Sequence, residues 1–466
     1  MKPVKALIVL ALAALIVSPA YAETQNVKVS GSIDAYWFYR ENFDLRDNND
    51  VGVAPANSGA ATYDHGAAGS ITQKSEADSY FRSNTQIEVA ADLTDNVSTV
   101  INIVNQRDWN ANSPGGAGND TDEFDINLDL AYVQMKEIFY SPLTLTIGSQ
   151  DLWFGRGFIV GSNNWAWVVG ATATQATEYS VTTAFDAVRA TLDFNPWTVD
   201  FVYSKRIEDD PNPEDDVDLW IANVNYQFAE YNAVAEGCYV GELDRNTLAG
   251  VAATSSVVND THTIGGRVQF DPISQITLGG ELAYQFGGYR AAVIDPERDR
   301  SAWGSNIFGT YRWDSTWKPE LTLEYVHFSG EADTTATTAD YGAWNAMFAR
   351  GKFWTAYADF REYVFGTADP SDQPATTNQN LLQVKGSLKP MEDLLLEGSF
   401  NYVWTDESIG GRSDELGYEI DLRAVYDYTE DVSFGLLGAW FVPGEFYSSP
   451  NDETALDLVS SVKVAF

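Results

Sequence analysis

His327 and Ser329 stand two residues apart, and on a strand such residues share a face. A histidine beside a serine is the start of a nucleophilic hydroxyl, but the imidazole also needs a third group to orient it. No acidic residue falls in register to do so. The pair keeps step with Leu321, Leu323 and Tyr325, so an interfacial histidine near a strand end is the simpler reading. Gly155, Arg156 and Gly157, followed by Gly161, have the look of a phosphate loop without the strand–helix context that such loops need. The acidic stretches 44–50 and 208–218 could hold Ca²⁺, with Asp209, Asp210, Asp215 and Asp216 as candidate ligands. Neither stretch has EF-hand spacing, and solvated loop charge is the better reading of both. Cys238 is the single cysteine, which excludes a disulfide scaffold and a thiolate zinc centre. No Cys-x-x-Cys-His occurs, so the chain itself carries no c-type haem. No catalytic residue and no bound cofactor are expected, and the chain reads as a non-enzyme.

Composition narrows the class. The 466 residues include 28 Lys and Arg against 67 Asp and Glu, a net charge of −39. Nucleic-acid binding, which needs clustered cations, is excluded on that ground. Mean hydropathy is −0.23, yet the chain holds 24 Tyr, 24 Phe and 14 Trp. A polar average with abundant aromatics is the composition of a membrane β-barrel. At the N-terminus, Lys2 and Lys5 precede an apolar run over 6–17, then Ala20-Tyr21-Ala22. This is a signal peptide over 1–22, too short to span a bilayer, and 23–466 is expected to be a single exported barrel domain.

The rest of the chain alternates with period two. Leu416, Tyr418, Ile420, Leu422, Ala424, Tyr426 and Tyr428 fall on one face, with Glu419, Asp421 and Arg423 on the other. Segments around 27–39 and 276–286 do the same. Such runs exceed the usual soluble strand and match a tilted transmembrane strand of about 9–11 residues. Connections alternate between short turns and long polar loops, as in outer-membrane barrels. About nineteen segments are visible, and closure with both ends on one side requires an even number. A weak strand over 341–349 would make about twenty, and merging a pair makes about eighteen, within a range of roughly 16–20. Eighteen is the expectation, in an antiparallel up-and-down barrel. The last strand ends on Phe466, in the form of the signal read by the barrel assembly machinery.

The apolar face of these strands must meet lipid and lipopolysaccharide, and the opposite face must line a lumen. Pore-lining candidates on it are Arg82, Glu88, Arg107, Asp129, Arg156 and Arg189. Further along they are Arg267, Glu281, Arg312, Glu324, Glu397, Asp421 and Arg423, with Lys385 and Lys463 in register. Charges on such a wall bias which solutes enter, or pair with one another and stabilise it. Segment 155–183 is expected to fold inward and narrow the lumen.

One stretch, 128–161, carries a family signature. Ala131-Tyr132-Val133 is followed by Leu145, Ile147-Gly148, Gln150, Leu152, Phe154-Gly155 and Val160-Gly161, and then by Phe185-Asp186-Ala187-Val188-Arg189. This hairpin resembles that of the alginate-export family of outer-membrane porins. The resemblance implies an 18-stranded monomeric barrel that moves solutes across the bacterial outer membrane. In that family a basic lumen draws a polyuronate, whereas acidic loops here would repel one at the mouth. The expected function is therefore passive passage of ions or small hydrophilic or saccharide solutes. The alternatives are export of an alginate-like polymer, or a sheath around a haem-bearing partner in the lumen or periplasm. Last comes a surface enzyme resembling outer-membrane phospholipase, which carries a His-x-Ser on its outer wall.

Overall fold

The computed structural model describes residues 26–42, 45, 78–109, 126–163, 179–207, 216–245, 259–290, 296–331, 340–349, 377–408, 411–447 and 452–466. The leader over 1–22, and Asp209, Asp210 and Asp215, lie outside them. Eighteen strands make one sheet. They are β1 (Asn26–Glu41), β2 (Asp78–Thr94), β3 (Val97–Asp108), β4 (Asn127–Met135), β5 (Leu143–Gln150) and β6 (Phe185–Asp193). Next come β7 (Trp197–Ile207), β8 (Val217–Gln227), β9 (Val234–Asp244), β10 (Asn259–Ile273), β11 (Ile276–Tyr289) and β12 (Arg298–Arg312). The last are β13 (Glu320–Phe328), β14 (Gln379–Met391), β15 (Leu394–Trp404), β16 (Glu415–Asp427), β17 (Val432–Pro443) and β18 (Ala455–Ala465).

Each strand pairs antiparallel with its neighbours in sequence, and β1 pairs with both β2 and β18, so the wall is closed. At the seam Phe466 and Gly31 exchange backbone hydrogen bonds of 3.0 and 2.9 Å. Closure removes the exposed edges that an open sheet would carry. Alternation sorts the side chains. Val27, Val29, Ile33, Leu278, Leu282, Tyr284, Ile420 and Leu422 are exposed on the outside, while Asn306, Gln383, Asn401 and Asp421 are buried on the inside.

Two readings of the pattern are corrected. Leu416, expected on the outer face, is fully buried. The ladder between β15 and β16 slips by one residue there, and Gly417 sits at φ +131°, where a Cβ would lie 2.2 Å from the Val442 carbonyl oxygen. This bulge turns Leu416 inward. Segment 341–349 is not a wall strand. Its Tyr341 bridges Arg300 and its Phe348 bridges Val160, both in parallel and both inside the barrel.

That interior is packed at the end with the long connections. Gly155 and Gly157, at φ +59° and +76°, fold the chain back after β5, and Phe154 N–H reaches the Val160 carbonyl at 3.1 Å. Leu152, Phe158, Ile159 and Val160 are buried, and Phe158 stacks between Phe328 and Trp344. Gly304 on β12 leaves the room, since a Cβ there would lie 3.1 Å from the Phe158 ring. The inward fold expected over 155–183 is present in its described parts, and 164–178 lie outside them.

Candidate functional site: a charged girdle below an inward segment

Where the packed segment ends, the lumen wall turns ionic. On β9 Glu236 accepts Arg267 of β10 through Oε2, at 3.1 Å from both Nε and Nη2. Its Oε1 accepts the Gly155 N–H at 3.1 Å, which ties the inward segment to the wall. Arg267 stands opposite Glu281 of β11. The next strand, β12, offers only Asn306 opposite Glu281. Arg156 fills that gap from inside. It hydrogen-bonds Asn306, donates to Glu324 Oε1 of β13 at 2.9 Å, and lies 4.1 Å over the Phe308 ring. Glu324 is almost wholly buried and also takes Asn306 Nδ2 at 2.7 Å and Lys385 Nζ of β14 at 3.2 Å. Charge therefore alternates in sign from β9 to β14, with the inward segment supplying one member. Buried charges are tolerated when each faces an opposite charge and hydrogen bonds.

The pattern continues around the wall. Arg423 of β16 donates to Glu397 of β15 at 2.7 Å, Arg189 of β6 to Asp200 of β7 at 2.9 Å, and Arg206 to Glu242 at 3.2 Å. Arg312 pairs with Glu320 at 2.9 Å near the short-turn end. Towards that end the lumen opens into a cavity of about 470 Å³, lined among others by Tyr36, Tyr179, Lys385, Glu397, Arg423 and Lys463.

Of the expected lining residues, Arg156, Arg189, Arg267, Glu281, Arg312, Glu324, Glu397 and Arg423 belong to this girdle or to the cavity below it. Arg82, buried, donates to Asn84 at 3.4 Å on the inner face of β2, and Glu88 follows it in the same register. Asp421 is buried on the inner wall and accepts Ser399 Oγ at 2.7 Å. Asp129 does a different job, since its Oδ1 accepts the N–H groups of Thr183 and Ala184 at 3.0 and 3.3 Å and anchors the returning limb. Arg107 is a correction. It is exposed in register with Ile101 and Ile103, on the outer face. Glu236 and Asn306 were not picked out from sequence. Glu236 sits in a strand whose alternation is weakened by Gly237 and Cys238, and Asn306 carries no charge to draw attention. Asp216 is engaged with Lys205 at 2.7 Å, and among the described residues no three ligating side chains cluster as a metal site.

The His327–Ser329 pair makes no hydrogen bond between its members. Ser329 Oγ donates to the Gly342 carbonyl at 2.7 Å and accepts the Trp303 N–H at 2.9 Å. His327 Nδ1 pairs with Asn380 Oδ1 at 2.8 Å, and the imidazole lies against the Trp303 ring. The hydroxyl thus helps to seat the segment that follows β13.

Sequence comparison decides the family. The model of the family described as alginate export matches residues 56–460. The chain belongs to that family. No curated protein matches its sequence. Among solved structures it is similar to OccK2 (OpdF) of Pseudomonas aeruginosa, at 10% identity and a TM-score of 0.55 over 95% of this chain and 98% of that one. A BenF-like porin from Pseudomonas fluorescens Pf-5 gives 10% and 0.54, over 95% and 100%. OpdK of Pseudomonas aeruginosa, solved with vanillate, gives 11% and 0.52, over 95% and 100%. At such identities the likeness is one of fold, and the fold is that of outer-membrane porins.

Proposed function

We propose that this member of the alginate-export family is a passive channel of the bacterial outer membrane for small hydrophilic solutes. The observation that carries the reading is the closed wall of eighteen strands with lipid-compatible side chains outside and an ion-paired lumen with a cavity of about 470 Å³ inside. The short-turn end, which holds both termini of the barrel, faces the periplasm, and the long connections face outward. Residues 1–22 serve as the cleaved export signal, and Phe466, at the barrel seam, is the element read by the assembly machinery. Acidic loops such as 208–218 bridge lipopolysaccharide through Ca²⁺. Proteins of similar fold are described as porins, one of them with vanillate bound, which supports small solutes over polymers.

Polyuronate export, which the family description favours, asks for arginines free to hold an anion. Here Arg156, Arg189, Arg206, Arg267 and Arg423 each already face a carboxylate. The test is single-channel conductance of the purified protein in a planar bilayer, with reversal potential in a KCl gradient. Open conductance that is weakly selective or cation-selective is expected. Strong anion selectivity would return the reading to polyuronate export, and a silent bilayer would refute the open channel.

A further inference from the structure

We infer that Arg107 marks a docking site on the outer wall for the phosphate of an anionic glycolipid in the outer leaflet of the membrane. Of the channel reading this takes only the outward orientation of the long connections. Arg107 is exposed on the lipid-facing side of β3, opposite Ser83 of β2. Among the described residues it meets no carboxylate and donates no hydrogen bond. Lys205, a cation on the same side of β7, is by contrast paired with Asp216 at 2.7 Å.

Depth in the membrane decides what Arg107 can meet. Trp37, Phe81 and Trp109 form one row of rings across β1, β2 and β3, since Trp37 faces Phe81 in the ladder and Phe81 stacks on Trp109 at 5.1 Å. Serines on the same face fix the row, with Trp109 Nε1 donating to Ser83 Oγ at 3.1 Å and Trp37 Nε1 to Ser79 Oγ at 2.8 Å. Rows of this kind mark the boundary between headgroups and acyl chains. Arg107 lies one row below it, about 5 Å nearer the bilayer centre on a tilted strand. Thr85 and Asn105 share the next row, and Ile87 and Ile103 the one after that. A guanidinium at this depth draws its counter-ion from the membrane, and its side chain can rise to the headgroups while its stem follows the wall. The headgroup phosphate matches its two-pronged donor geometry.

A second copy of the chain fits the same place less well. The outward side chains round Arg107 are Phe81, Ser83, Thr85, Asn105 and Trp109, none of them acidic. A two-fold contact there would set arginine against arginine. A phosphorylated glycolipid supplies the missing charge, and its acyl chains meet Ile87, Ile101 and Ile103 below, all of them exposed.

The test titrates the purified mature protein, in neutral detergent, with diphosphorylated lipid A and counts bound lipid by native mass spectrometry. Arg107→Leu, which places a residue type common on this face, should weaken binding about tenfold, and Arg107→Lys should weaken it less. Lipid A stripped of both phosphates should bind the parent protein no better than intact lipid A binds Arg107→Leu. Equal binding by the parent and Arg107→Leu overturns the inference, and Arg107→Gln makes the same comparison should the leucine variant fail to fold. Equal binding of stripped lipid A overturns it too. Competition by inorganic phosphate at the concentration of the lipid would make this a plain anion site, and a dimer that Arg107→Leu dissolves would make it a contact between copies. Either result removes the lipid from the site. Phosphatidylglycerol bound as tightly as lipid A would refute the glycolipid and, with it, the orientation. None of these readouts needs an open pore, so a silent bilayer would refute the channel while the lipid site still stood or fell by its own measurement.

Discussion

Replacing Arg156 by Ala separates two roles that the inward segment combines, holding itself in place and contributing charge to the lumen. The guanidinium contributes one charge-assisted hydrogen bond to Glu324, one to Asn306, and its place over Phe308. At 25% side-chain exposure these contribute about 2 kcal/mol together. Seating rests on more than that. Leu152, Phe154, Phe158, Ile159 and Val160 are buried, and each contributes about 1.5–3 kcal/mol. The segment should therefore stay in place without Arg156, and Glu324 should keep Lys385 and Asn306 as partners. What changes is the field. An ion passing about 6 Å from the missing charge in water gains or loses about 0.7 kcal/mol, with opposite sign for K⁺ and Cl⁻. The permeability ratio of K⁺ to Cl⁻ should rise about tenfold over that of the parent protein. Reversal potentials in a KCl gradient, measured on single channels of both proteins, check this. An unchanged ratio would show that permeating ions do not pass Arg156, and a large rise in conductance with the ratio unchanged would show that Arg156 alone holds the segment down.

Phe158→Ala, by contrast, removes a ring packed against Phe328 and Trp344, and should weaken seating by about 3–5 kcal/mol. Noisier and larger conductance, with protease sensitivity within 152–162, is the expected readout. Gly148→Ala places a Cβ 2.1 Å from the Ala131 carbonyl oxygen at φ +123°. It should disrupt the pairing of β4 with β5 and lower the yield of heat-modifiable folded barrel on electrophoresis. Asp457→Ala removes the buried carboxylate that faces Arg40 across the β1–β18 seam, 3.3 Å apart in the parent. A loss of about 3–5 kcal/mol, read as a lower unfolding midpoint in detergent, is expected. Because the wall is ion-paired and the excess acid lies in the connections, cation selectivity at 0.1 M KCl should shrink towards unity at 1 M, where the Debye length is about 3 Å. Reversal potentials at constant gradient ratio measure it, and selectivity that persists at 1 M would place its source inside the lumen.

The wall was legible because a strand exposed to lipid on one side and water on the other must alternate, and the long runs of β1, β11 and β16 do so. Leu416 broke the rule because a bulge at Gly417 shifts the phase by one residue, and the sequence shows only a glycine there. Arg107 broke it because its strand reads Val104-Asn105-Gln106-Arg107, with no alternation left near the end to mark the face. The packed interior was harder to see. Phe154, Phe158 and Val160 are the same residue types as the lipid-facing wall, so composition cannot tell an apolar segment folded inside the barrel from a strand facing lipid. Segment 341–349, weighed as a weak wall strand, is another such segment, and the expected count of eighteen holds without it. The ion pairs were illegible as pairs, because which residue faces which across a barrel depends on register between strands far apart in sequence. Arg156 and Glu324 are an example, 168 positions apart.

The girdle accounts for an otherwise odd distribution of charge. A lumen lined by unpaired arginines would bind a polyanion, and one lined by unpaired carboxylates would admit cations and little else. Here opposite charges meet on neighbouring strands, so their far fields cancel while their near fields remain strong. Such a wall does little to sort solutes by net charge, and sorting of that kind is left to the acidic connections outside. What it can sort is the arrangement of charge within a solute, because a ligand must match donors and acceptors at the spacing of a cross-strand pair, about 4.5–5.5 Å. The inward segment sharpens this. By carrying Arg156 into the gap at Asn306 it completes the alternation where the wall alone would leave Glu281 and Glu324 facing each other across a neutral strand. Two acids so placed would make a cation site, and the arginine cancels it.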